Sequence, residues 1–461
     1  MFSRKCFGFA GRIEKMEVNK DWQKFVIVFW MLLTFSFVLP AKAQTALFEV
    51  AQYDAEIMPN LIDRSIQGKV SITFNALVKD LKEITLNAGV LEIDAVKQGS
   101  SALRFEKKDG LLKIQLDRPL KIGEKREVEI VYHGTPKFGI QFFPEQKQVY
   151  TIFSTSQWMP CVDAPDDRAA FRLNLITPNN LKTIGNGNFL KQIVLPNGKT
   201  SWRWEQKNAV PTYLFGFAFG EFQELTEQEK GTTFRYLYDK SFSAEQVRKI
   251  FADSKDMLRF FESKAGVKYP YKTYTQVLTA GNAQQEVDGF TLMTAEYGRD
   301  VLKNEKDIWL GTHEFAHQWW GNMVTNRDWT HFWLNEGIAN FMTAAYFEHR
   351  FGRAEYLSEI KRYRESYEKV RDAGKDKSLV FPDWNRPTRE DRRLVYDKGA
   401  YVMQLLREEL GEELFWQGLK EYTQKYWGKS VETRDFQTSM EKASGKDLSR
   451  FFDKWVYLKS N

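Results

Sequence analysis

Two histidines four positions apart, with a glutamate directly after the first, constrain this chain more than any other feature. In GTHEFAHQWWGNMVT, His313 and His317 share one face of a helix, so both rings can chelate a single ion. Glu314 points into the same cleft and suits a base acting on water held at the metal. A catalytic zinc usually keeps three protein ligands and one open position, so a third donor is required. Glu336 lies in LNEGIANF, which reads as a second helix, with 18 residues between it and His317. The fold must therefore pack two helices so that His313, His317 and Glu336 converge. The chain holds only five histidines, and a chance HExxH is expected on the order of once in a few hundred such sequences. Its two cysteines, Cys6 and Cys161, form no CxxC, so a metal has to be held by histidine and carboxylate. Cys161 reads as a small buried hydrophobe rather than a nucleophile.

Hydrophobic periodicity divides the chain. From about Gln44 to Phe222 the period is mostly two, as in LFEVAQYDAEI, GKVSITFNAL and REVEIVYHG, with turns such as KKDG and LPNGKT between. Short strands at this spacing predict an antiparallel β-sandwich or saddle-shaped domain over residues 44–224. From about Ser241 the pattern turns helical, in AEQVRKIFADSKDMLRFFESKAG and in GAYVMQLLREELGEELFWQGLKEYTQKYW. A strand pair, TYTQVLTAG and DGFTLMTAEY, interrupts it. Residues 225–461 therefore read as an α+β, mainly helical domain, with residues 371–393 a long polar surface loop.

Charge and hydropathy bear on location. The 461 residues carry 67 Lys+Arg against 61 Asp+Glu, a net +6, which is too weak to argue for nucleic-acid binding. Residues 1–43 alone contribute +4, which leaves only +2 for the rest. That segment reads as an export signal. Lys20 and Lys24 precede the 15-residue apolar run Phe25–Leu39, then Pro40 and the small-x-small triplet Ala41-Lys42-Ala43. Cleavage before Gln44 would deliver a periplasmic or secreted protein with no stable membrane insertion; an uncleaved anchor is the alternative. Met16 would give a signal of ordinary length, and no cysteine follows the small residues to carry a lipid.

The flanks of the metal motif carry a resemblance. HEFAHQWWGNMVT followed by WLNEGIANF resembles the aminopeptidase N and leukotriene hydrolase family of zinc metallopeptidases, gluzincins with HExxH, 18 residues, then Glu within NEG. QWMPCVDAPDDRAAFRLNLITP, KYPYKTYTQV and VYDKGAYVMQLLREELG match further family segments in the same order, so that the likeness runs from Leu47 to Val456. It implies a thermolysin-like catalytic domain behind the β domain, one Zn2+ on His313, His317 and Glu336, and peptides as substrates. Glu314 would be general base and proton shuttle, and Tyr396, matching the Tyr of Tyr-x-Lys-Gly, would donate to the oxyanion.

The family's exopeptidase signature, Gly-x-Met-Glu-Asn, aligns its Glu with Glu286. Ala283, Gln285 and Val287 replace the Gly, Met and Asn, and Asp288 is a second acid nearby. The resemblance therefore implies a zinc-dependent aminopeptidase, with an endopeptidase or other small-molecule hydrolase as the alternative. A non-catalytic scaffold is disfavoured because no ligand or base is lost. The sequence ends four residues after FFDKWVY, where the family's catalytic domain ends. The C-terminal helical domain common in the family is expected to be missing and the cleft more open on one side.

Overall fold

The computed structural model describes residues 47–381, 384 and 387–458, so the export segment and its cleavage site lie outside the described residues. Phe48–Asn60 shows how the first domain forms. Val50, Ala55 and Ile57 are fully buried while Glu49, Asp54 and Glu56 face outward, the alternation of a strand with one face on a core. Eight strands make the main sheet, in the order Asn188–Leu195, Lys199–Pro211, Arg168–Pro178, Phe48–Asn60, Ser65–Ala76, Lys125–Gly134, Glu92–Gln98, Ser101–Ala102. Its neighbours run antiparallel except for Phe48–Asn60 beside Arg168–Pro178, which are parallel. The long stretch of chain between those two strands supplies the crossover that parallel pairing needs. A three-stranded sheet, Leu81–Asn87, Leu111–Leu120 and Phe105–Lys108, completes one side.

A four-stranded sheet of Lys182–Gly185, Phe217–Gly220, Gln148–Thr151 and Ile140–Phe143 carries the first domain up to the second. There Tyr150 Oη donates to Ala280 O at 2.7 Å, and Gln148 Oε1 accepts from Ala280 N at 2.8 Å.

The second domain opens with a sheet of Gln223–Glu229, Thr232–Tyr238, Thr273–Thr279 and Phe290–Thr294. By pairing, this sheet begins at Gln223. The two strands expected around residues 273–296 are present and run parallel. The helical segment after Ser243 is two helices, Ala244–Ile250 and Ser254–Ala265. It breaks because Phe251 leaves helical geometry to stack on Tyr236, with centroids 4.7 Å apart, and Asp253 starts the next helix. The polar stretch 371–393 is shorter as a loop than expected. Arg353–Asp372 is helical at its near end, and Thr388 caps a helix over Arg389–Arg393 at its far end. No helix among the described residues is long and apolar enough to cross a membrane.

Packing seats the metal-site helix on the sheet. Phe315, fully buried, stacks on Tyr274 of the strand Thr273–Thr279, with centroids 4.1 Å apart and planes within 8°. That contact fixes the rotation of the helix and, about 100° round it, the direction of Glu314.

Candidate active site

The first motif helix spans Trp309–Ala316 and closes at His317, the C-cap residue. His317 Nε2 lies 3.0 Å from His313 Nε2, and Glu336 Oε2, from the helix Trp333–Phe351, lies 3.3 Å and 3.4 Å from them. Donor atoms at zinc distances of about 2.0–2.1 Å in a tetrahedron sit about 3.3–3.4 Å apart, which this triangle matches within a few tenths. His317 Nδ1 sits 3.1 Å from Trp320 O, so it carries the proton and leaves the Nε2 lone pair for a metal. The Trp309 ring stacks on His313 at 4.8 Å, and the Asn340 side chain is its polar neighbour. Glu336 Oε2 and Glu314 Oε2 are buried without a hydrogen-bond donor, and two imidazole nitrogens face each other over a carboxylate. A divalent cation satisfies Glu336 Oε2 and the two imidazole nitrogens. The donor set fits one zinc ion.

Two close approaches by glycine make this geometry possible. Gly321 has φ +133°, and a Cβ there would sit 2.5 Å from Asn335 Oδ1 and 2.8 Å from His317 Nδ1. Gly337, next to Glu336, meets Gly399 backbone to backbone; a Cβ on either would come within 2.9 Å of the other's Cα. Gly399 starts the helix that follows Tyr396, so this contact brings Tyr396 to the metal site. The Tyr396 ring lies 6.2 Å from that of His313, and its hydroxyl is a hydrogen-bond neighbour of Glu336.

Glu286 sits in the connection between the parallel strands Thr273–Thr279 and Phe290–Thr294 and is only 4 % exposed. Its electrostatic neighbours are His317, Glu336, Glu314, Tyr213 and Tyr396. Burial raises its pKa, and burial with the like charges of Glu286 and Glu336 raises that of Glu314. Asp288 turns away from this cluster. Its carboxylate accepts from Tyr271 Oη and Gln206 Nε2 and lies near Arg168, so it belongs to the seam between the domains.

One participant had no sequence signal. Tyr213, from the first domain, donates to Gly321 O at 3.1 Å and accepts from Asn335 Nδ2 at 3.3 Å. Its ring packs edge-on against Trp329 at 5.2 Å, and Trp329 in turn packs on Phe332, which gives the cleft an aromatic wall. Tyr213 lies 100 residues before His313, in the single 3-10 turn Thr212–Leu214 that follows the strand Lys199–Pro211, with nothing local to mark it.

Fold and donor set together define a two-domain protein built to hold one divalent cation between a histidine pair and a glutamate. Residues 50–214 match the peptidase M1 N-terminal domain and residues 251–455 the peptidase family M1 domain, and the chain belongs to the peptidase M1 family. It is 26% identical over 437 residues to aminopeptidase M1-B of Oryza sativa subsp. japonica, covering 88% of this chain and 49% of that protein. It is equally 26% identical over 441 residues to aminopeptidase N of Lactococcus lactis subsp. lactis, covering 86% and 49%. The chain thus spans about half the length of these curated relatives. The M1 zinc metallopeptidase from Deinococcus radiodurans shares its fold, with TM-score 0.78 at 23% identity over 90% of this chain and 95% of that one. A mutant of that enzyme has been solved with a Tyr-Ser-Ala substrate, with TM-score 0.77 and the same identity and coverage.

Proposed function

We propose that this chain is a zinc-dependent aminopeptidase that removes N-terminal residues from peptides. The observation that carries the reading is the setting of Glu286. It is a buried carboxylate beside the metal donors, and among the described residues no lysine or arginine is an electrostatic neighbour of it. Among the described residues His317 is its cationic neighbour, and it loses its charge when it ligates a metal. Glu286 then needs a cation from outside, and the α-ammonium of a peptide supplies one. The family match, the relatives named as aminopeptidases and the Tyr-Ser-Ala substrate of the structural neighbour support the same reading.

His313, His317 and Glu336 would hold the zinc, which when bound supplies a Lewis acid that acidifies water and polarises a carbonyl. The Glu286 carboxylate receives the substrate's ammonium and so sets the scissile bond one residue from the terminus. Glu314 takes the proton from the attacking water at its carboxylate and passes it to the departing amine. The Tyr396 hydroxyl donates to the oxygen that becomes anionic as the carbonyl turns tetrahedral. The two described domains contain every one of these residues.

Hydrolysis of one peptide with its N-terminus free and acetylated tests the proposal. The free form should be trimmed and the acetylated form resist. Glu286→Ala should lower kcat/KM for the free form by a factor on the order of 10²–10³ without loss of zinc. Internal cleavage of the acetylated peptide at a matching rate would instead establish an endopeptidase. Export belongs to the same proposal, supported by Phe25–Leu39 and Ala41-Lys42-Ala43. N-terminal sequencing of the product from an exporting host should begin at Gln44; recovery of Phe25–Leu39 in membranes would identify an anchor.

A further inference from the structure

We infer that Gln285 is the positioning residue of the amine site, holding Glu286 at a set distance from the metal donors by bracing it against the first domain. The inference rests on the aminopeptidase reading and deepens it. Gln285 stands where the resembling family's signature carries an apolar Met, and here the side chain is fully buried. A buried carboxamide has to be satisfied, and this one is, at both ends. Its Oε1 accepts from Phe153 N at 2.8 Å, and its Nε2 donates to Tyr213 O at 2.9 Å. Both partners are backbone groups of the first domain, and Phe153 is held there at φ +49°. The Gln285 backbone is also fixed, exchanging two 3.1 Å hydrogen bonds with Leu292.

These bonds close a ring. From Gln285 the path runs to the Tyr213 carbonyl, through that residue to its hydroxyl, and on to Gly321 O in the turn after His317. From the same turn, Asn322 Nδ2 donates back to Glu286 O at 2.9 Å. Gln318, adjacent to His317, bridges Val287 O at 3.1 Å and Gly289 N at 3.0 Å. The residue that receives the amine is therefore tied to the metal helix on one side and to the first domain on the other. An apolar side chain at position 285 can make neither of the carboxamide bonds, so Gln285 replaces the altered signature with a brace of a different kind.

The test uses the zinc-loaded full chain and one aminoacyl-amide substrate, with its amine free or acetylated. Gln285→Leu should raise KM for the free-amine substrate on the order of tenfold, with kcat within about threefold and one zinc retained per chain. In a Glu286→Ala background the same substitution should change kcat/KM less than about twofold, because the group it positions is gone. Gln285→Met, flexible and of similar length, serves if the leucine variant does not fold. An equal loss in both backgrounds, loss of zinc, failure of both variants to fold, or no effect at all would each overturn the positioning role. A wild type indifferent to acetylation would overturn the aminopeptidase reading itself, and this inference with it.

Discussion

Glu286, Glu314 and Glu336 are buried together beside His313 and His317, and such a group of carboxylates is unstable without cations. Each residue in the cluster therefore has a distinct signature when it is removed. His317→Ala leaves two donors, so zinc and activity should disappear together, read by metal analysis and turnover on the same sample. Glu314→Gln should keep one zinc per chain and lose turnover by a factor on the order of 10²–10⁴, since only the base has gone. Stripping the wild type with a chelator should lower its melting temperature, because the bound ion stabilises the folded state alone. The same treatment should leave His317→Ala almost unchanged. At this scale the site was largely legible. HExxH and the NEG glutamate name the donors outright, because helical spacing dictates which side chains share a face. Asp288, two positions from Glu286, shows the limit. Its direction depends on Tyr271 and Gln206, which no local pattern connects to it.

Among the elements, the meeting of Gly337 with Gly399 decides whether Tyr396 reaches the metal donors. Gly337→Ala inserts a methyl group where 2.9 Å of space exists to the facing Cα. It should cost about 1–3 kcal/mol in stability, measured by denaturant unfolding. It should also lower kcat more than it raises KM, because it displaces the Tyr396 hydroxyl proposed to donate to the oxyanion. Unchanged kcat in a correctly folded Gly337→Ala protein would remove Tyr396 from the mechanism. Element types followed from periodicity and element breaks did not. The segment after Ser243 has one continuous helical pattern, yet it divides at Phe251, which leaves helical geometry with its ring stacked on Tyr236. The long polar stretch likewise shortened from both ends, where Thr388 with Asp391 forms a capping box invisible to hydrophobic periodicity.

For the whole molecule, the first domain is a wall of the active site. Arg168 reaches from its strand into the turn behind the metal helix, donating to Thr325 Oγ1 at 2.7 Å, Asn322 O at 3.3 Å and Met323 O at 3.4 Å. Its Nε donates at 3.1 Å to Ala209 O within its own domain. Arg168→Met keeps much of the apolar stem and removes every donor. It should destabilise the protein by about 1.5–3 kcal/mol, as expected for hydrogen bonds from a charged group, and weaken free-amine substrates more than acetylated ones. Equal effects on both substrates would show that this seam serves stability alone. The sequence by itself determined the β-then-helical order and which three side chains could converge on a metal, since each depends on spacing within one short segment. Only the tertiary structure decided that Tyr213 and Gln285 stand beside Glu286, the proposed amine site. Strand alternation tells which residues face inward but not which distant strand they will meet, and a glutamine carries no periodic signal until its two hydrogen-bond partners have been brought to it.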